Sequence, residues 1–546
     1  MKAHNSALRD FTVDRRVWLL CALAVGIGTG AAALAVFLLA AIHFATNVFY
    51  YHRFSMLFVR PSGSPLGWLM PFVPVVGGLL VGLMARYGSD KIRGHGIPEA
   101  IEAILLRGAR INPGIALLKP LSAAISIGSG GPFGAEGPII MTGGAFGSLV
   151  AQWVHLSDAE RTTLLVAGAA GGMSATFAAP VAAILLAVEL LLFEWRPRSL
   201  LPVAVASATA SLLRDVWIGH GPMFPMAPMP EHFTWLLCPA ALGFGMLTGL
   251  ISAGLSRLMY GFEDLFGKLP VHWMWWPAIG GIGVGVGGIF FPRGLGVGYN
   301  NIAQLLAGHA TWALVFGLLI GKSLMWAFSL GSGTSGGVLA PLLMIGGALG
   351  TLAATLAHAS PEMQALWALL GMAAMLSGSL GIPITAAVFA LELTHALPAL
   401  LPLLLAAVGA HLVTALVLPR SILTEKLGRR GFHLTREYGV DPLEMITVGE
   451  AMESIDIGAS GPNVDAGFVS WALPEMFAYS DETCRETAER MATAGSVSLP
   501  VFDRESRLQV GQLSLQNLLI GRQKAFEREQ FRLRAFTEKH NASVVR

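Results

Sequence analysis

Long apolar runs alternate with short polar or glycine-rich breaks along most of the 546 residues. The runs at 17–44, 68–84, 235–255 and 400–418 are each long enough to cross about 30 Å of hydrocarbon as a helix. Strands of a membrane barrel would alternate with a period of two, whereas these runs are continuous. The pattern predicts an all-α polytopic membrane protein. After Leu418 the chain becomes charged, and Arg420, Lys426, Arg429 and Arg430 fit the basic excess of a cytoplasmic flank. A membrane domain at 1–430 and a cytoplasmic linker with a small α/β region at 431–546 are expected.

The break at 128–138, GSGGPFGAEGP, separates apolar segments at 115–127 and 139–153. Non-helical backbone at membrane depth is tolerated where protein buries it or where it lines a watery cavity, so such a break points to a site. Its glycines let amides approach a ligand, and Pro138 suits the first turn of a new helix. That helix would aim free N–H groups and a positive dipole end into the gap, which favours an anion. Glu136 lies in the same gap, and a carboxylate there competes with an anion for the site.

Placed on itself with a shift of 203 residues, the chain aligns Lys119 with Lys322, Gly128-Ser129-Gly130 with Gly331-Ser332-Gly333, and Gly134 with Gly337. The register continues through Pro138 and Pro341, Gly168 and Gly371, Pro180 and Pro383, and Glu189 and Glu392. A second broken stretch, GSGTSGGVLAP, therefore lies at 331–341. Doubled broken helices place a transported ligand where they meet. The copies differ where Glu136 faces Leu339, which favours a specialised role for the acid. A third break, GHGIPEA at 94–100, offers His95 either as a donor to an anion or as an imidazole facing a watery vestibule. Glycine runs such as 280–288 read as helix-packing faces.

Composition narrows the function. Charged residues make up 13% and hydrophobic ones 54% of the chain, with a net charge of +2, so no polyanionic partner is expected and no nucleic-acid motif is present. Cys21, Cys238 and Cys484 have neither metal-like spacing nor a disulfide framework. No metal or cofactor is expected. The charged start lacks a cleavage signal, which suggests a cytoplasmic N-terminus. Neither glycine-rich break is followed by the Lys-Ser/Thr of a phosphate loop, and nothing suggests an enzyme.

GHGIPEA, GAEGP, GGVLAP and APVAAILLAVEL on this doubled framework resemble the CLC family of chloride channels and chloride/proton antiporters. The resemblance, over about 15–431, implies two inverted helical repeats, a homodimer with a pore in each subunit, and chloride held by backbone amides. By position these would belong to Ala135, Glu136 and Gly137 at an outer site and to Val338 and Leu339 at a central one. Glu136 matches the gating glutamate, whose carboxylate occupies an anion site and leaves it on protonation.

Several positions depart from the family pattern. His95 replaces the usual Ser, Leu423 stands at the position of a Tyr, and Ala135 at that of a basic residue. Leu190 takes the place of an inner proton-transfer Glu, with Glu189 just before it as a substitute on a proton path or as a structural acid. These losses lead to the expectation of a passive, gated chloride channel, with chloride/proton exchange as the alternative. A bacterial inner membrane is the expected location.

In the tail, Cys484, Ala488 and Met491 fall on one helical face. A strand at 498–502, a turn at 503–505, a strand at 508–513 and a helix from Ser514 follow, with a charged helix or tail at 526–536. This resembles the second half of a CBS-domain pair. The ribose-binding Asp of that pattern is Asn517 here, so nucleotide binding is not expected, and a structural cap or dimerisation surface is.

Overall fold

A computed structural model describes residues 15–228, 235–430, 443, 446–454, 477–504, 506 and 508–523. The chain falls into two compact units, Val13–Arg436 and one built mainly from Glu437–Arg546. In the larger, nine helices among the described residues are long and apolar enough to cross a membrane. It is an integral, multi-pass membrane protein.

Two halves repeat one plan. The first runs α1 (Arg16–Tyr51), α2 (Val73–Tyr87), α3 (Ile97–Leu106), α4 (Pro113–Gly128), α5 (Glu136–Gln152), α6 (Asp158–Phe177), α7 (Pro180–Leu186) and α8 (Pro197–Trp217). The second runs α9 (Leu237–Gly267), α10 (Trp276–Phe290), α11 (Tyr299–Leu306), α12 (Trp312–Phe316), α13 (Ser323–Gly331), α14 (Leu339–Leu356), α15 (Pro361–Leu380), α16 (Pro383–Thr394) and α17 (Leu400–Val417). Helices α2, α5, α6, α7 and α8 start 203 residues before α10, α14, α15, α16 and α17. Two inverted helical repeats with broken helices make the fold.

Local chemistry sets the breaks. Ser157 and Ser360 cap α6 and α15, and Pro180 and Pro383 open α7 and α16, where a missing N–H does no harm. Helices α6 and α15 end on Ala178 and Gly381, both left-handed. The same glycines then close each repeat. A Cβ on Gly168 would overlap the Gly143 carbonyl, and one on Gly371 the Gly346 carbonyl, so α5 meets α6, and α14 meets α15, backbone to backbone. In the 280–288 run, Gly281 and Gly285 pack on the carbonyls of Pro74 and Pro71.

Among the described residues the smaller unit has a four-stranded sheet ordered β1 (Glu453–Ser454), β4 (Gln509–Ser514), β3 (Ser498–Phe502) and β2 (Ala478–Tyr479). With it come α19 (Val448–Ala451), α20 (Cys484–Ala494) and a helix over 515–523, while α18 (Glu425–Arg429) closes the membrane unit. Cys484 and Met491 are buried and Ala488 packs beside them, as the helical spacing predicts. Glu505, the charged segment at 526–536 and all of 455–476 lie outside the described residues. Asn517 Oδ1 accepts the Ser514 amide at 2.8 Å, so this side chain closes its own turn.

Candidate functional site

The two broken stretches meet residue for residue. Gly134 N donates to Gly337 O at 3.3 Å and Gly337 N to Gly134 O at 2.9 Å, an antiparallel pair between positions equivalent in the two repeats. A residue that pairs with its own counterpart marks the approximate two-fold axis. Beside it start α5 and α14, whose first amides have no intrahelical carbonyl and whose Pro138 and Pro341 carry no N–H. Ala135, Gly137, Val338 and Leu339 are all buried here, so both positive helix ends face one small region.

Buried lysines brace the flanking loops. Lys119 Nζ donates to the carbonyls of Ile92 and Gly94 at 2.8 and 2.7 Å. Lys322 Nζ does the same to Gly294 and Gly296, both at 2.8 Å. Each loop turns through two left-handed glycines, Gly94 and Gly96 in one and Gly296 and Gly298 in the other. A side chain at these four positions would strain the backbone.

Glu136 is 0% exposed. Its Oε1 accepts a hydrogen bond from the Tyr299 hydroxyl at 3.1 Å, and Oε2 has no partner among the described residues. The backbone amides of Glu136 itself and of Ala340 face the carboxylate. A Cβ on Gly134 would overlap Oε2. The acid thus sits between the starts of α5 and α14, in the kind of place an anion would take.

His95 is 3% exposed, and its Nδ1 has no partner among the described residues. Its carbonyl packs against Gly137, which leaves no room for a side chain there. The imidazole lines a cavity of about 530 Å³ shared with Arg93, Glu99, Glu263 and Lys426. In that cavity Lys426 Nζ lies 2.6 Å from Glu99 Oε1. Tyr299 lines a second cavity of about 370 Å³ together with His43, Arg60 and Arg293. One cavity therefore reaches the start of α5 through His95 and the other reaches Glu136 through Tyr299.

Glu189 stands apart from this constellation. Its Oε2 accepts from the Thr385 amide and hydroxyl at 2.8 and 2.6 Å, and its Oε1 from the Ile384 amide at 3.3 Å. It caps α16. Leu190 and Leu423 are fully buried among apolar residues. Tyr260 lies near Leu423, but its hydroxyl donates to the Ile422 carbonyl at 2.6 Å and is already engaged.

Tyr299 and the loop-bracing role of Lys322 escape a reading of the sequence. The signal is present at a shift of 202, where GVGYNNI at 296–302 matches GHGIPEA at 94–100. A scan held at 203 misses it by one residue.

Residues 77–415 match the family model described as voltage gated chloride channel. The chain is 30% identical over 356 residues to a chloride channel protein described as ClcB-like from Ralstonia nicotianae, covering 64% of this chain and 82% of the relative. It is also 30% identical over 372 residues to the H(+)/Cl(-) exchange transporter ClcA of Citrobacter koseri, covering 64% and 76%. Among solved structures, a slow cyanobacterial Cl-/H+ antiporter superposes with a TM-score of 0.66 at 21% identity, over 77% of this chain and 99% of that one. A CLC-type fluoride/proton antiporter gives 0.62 at 21% identity, over 76% and 98%.

Proposed function

Because the chain belongs to the voltage gated chloride channel family, we propose that it exchanges chloride for protons, with Glu136 as the group that trades one for the other. The observation that carries this reading is the placement of the Glu136 carboxylate between the starts of α5 and α14. Ionised, it occupies a position suited to an anion. Protonated, it loses its attraction to the helix ends and yields to chloride. The amides of Ala135, Glu136 and Gly137, and those of Val338 and Leu339, are the chloride donors in this reading, with His95 beside them. A homodimer with one pore per subunit is its assembly. No metal, cofactor, nucleotide or covalent step enters it.

The names of several relatives and structural neighbours support exchange over the passive channel expected from Leu190 and Leu423. Passive conduction stays as the second reading on one observation: Glu189 is engaged as a helix cap, so the acid next to Leu190 offers no ready replacement for an inner proton carrier. Liposomes loaded with chloride decide between them. Exchange predicts that chloride efflux drives protons uphill at a fixed ratio, and that Glu136→Gln keeps chloride flux while abolishing proton flux. Chloride flux that requires an electrical shunt and moves no protons uphill would establish the channel.

A further inference from the structure

The repeats are chemically asymmetric at two places that touch each other. In the register shifted by 203, Glu136 of the first repeat corresponds to Leu339 of the second. In the neighbouring register of 202, Tyr299 of the second corresponds to Ile97 of the first. Each repeat has thus gained one polar group where its counterpart is apolar. The two groups form a single hydrogen bond of 3.1 Å.

Tyr299 is held for this purpose from several sides. It is the first residue of α11, directly after left-handed Gly298 and a loop whose Gly294 and Gly296 carbonyls are fixed by Lys322. Its ring packs edge-on to Phe177 and Phe224, with centroids 6.4 and 5.8 Å away. Such packing leaves the hydroxyl few orientations.

We infer that Tyr299 is a positioning residue that latches Glu136 in the anion position, and that chloride entering there must displace the carboxylate from this hydroxyl. The inference rests on the reading of Glu136 as the gate. A hydroxyl donating to a carboxylate favours the seated acid over the withdrawn one, so the latch opposes chloride. It also adjoins the 370 Å³ cavity, which makes Tyr299 the point where the contents of that cavity meet the gate.

The test is chloride binding by calorimetry to the full chain in detergent, for wild type, Tyr299→Phe, Glu136→Gln and the double variant. Removal of a hydrogen bond to a charged group should tighten chloride binding about ten-fold in Tyr299→Phe. In the Glu136→Gln background the same change should move affinity less than about two-fold, since no ionised acid remains to be latched. An unchanged affinity in Tyr299→Phe overturns the latch, and so does an equal shift in both backgrounds, which would mark a purely structural tyrosine. If Tyr299→Phe gives no monodisperse protein, a ring-fluorinated tyrosine at 299, a stronger donor of nearly equal size, should weaken chloride binding in neutral to mildly alkaline buffer, where an ionised carboxylate is there to be latched. No change there overturns the latch as well. Glu136→Gln alone tests the gate itself: if it leaves chloride binding and proton flux as in wild type, the reading of Glu136 fails before Tyr299 is considered.

Discussion

Glu189 and Glu392 each close the other repeat's helix. Glu189 accepts the Ile384 and Thr385 amides at the start of α16, and Glu392 accepts the Val181 and Ala182 amides at the start of α7, at 3.0 and 2.7 Å. A carboxylate on a helix N-terminus satisfies orphan donors and meets the positive dipole end. Equivalent residues with equivalent partners are structural. Glu189→Gln should therefore lower stability by about 1–3 kcal/mol, read as a lower melting temperature in detergent, and leave the proton-to-chloride ratio unchanged. A changed ratio at unchanged stability would place Glu189 on the proton path instead.

Gly134 tests the seat of the gate without touching the acid. A Cβ there overlaps Glu136 Oε2, the far end of a flexible side chain, so the fold can accept alanine while the carboxylate cannot stay. Gly134→Ala is expected to keep its melting temperature within a few degrees and to lose the pH dependence of chloride flux. A Gly134→Ala protein with the wild-type flux profile would show that the carboxylate does not need this position.

The helix ends at 178 and 381 make a clean pair. Ala178 holds φ 55° where the second repeat has Gly381 at φ 72°. Ala178→Gly should relieve the left-handed strain and stabilise the protein by about 0.5–1 kcal/mol, whereas Gly381→Ala should destabilise it by a similar amount. Thermal unfolding of the two variants side by side checks the signs.

Lys322 offers a harsher change. Lys322→Met leaves the Gly294 and Gly296 carbonyls buried without a donor, at about 1–3 kcal/mol each. Loss of the Tyr299 position should follow, so this variant should also bind chloride more tightly. Calorimetry on whatever monodisperse fraction survives measures both effects.

In the smaller unit, burial pushes the Cys484 thiol up to about 11. A raised thiol is protonated, and so unreactive, through neutral pH and gains reactivity only as pH approaches that value. In a Cys21→Ser, Cys238→Ser background, labelling with a polar maleimide near neutral pH should run roughly a hundred-fold slower than for free cysteine, until denaturant unfolds the tail. Rapid labelling under native conditions would contradict the burial of Cys484.

Much of this was legible in the sequence because the fold states its rules twice. Proline at helix starts, glycine runs as packing faces and the 203-residue register announce α5 with α14 and α6 with α15, and Glu136 stands out as a polar residue facing Leu339. What the sequence hid were relationships that no spacing encodes. His95, Tyr299 and Glu136 come together only through loops braced by Lys119 and Lys322, and a lysine in an apolar run does not announce which carbonyls it will hold. The role of Glu189 stayed open for the same reason: its partners lie 195 and 196 residues away.

The reciprocal bonds between Gly134 and Gly337 also limit how this protein can move. A carrier that rocks one half against the other must open the seam between its halves, yet here backbone bonds cross that seam beside the position proposed for the ligand. Swinging the halves apart would break both bonds and dismantle the proposed site. In the proposed exchange the working stroke falls instead to something that can travel while the seam stays shut, the Glu136 side chain, with the surrounding helices as its frame.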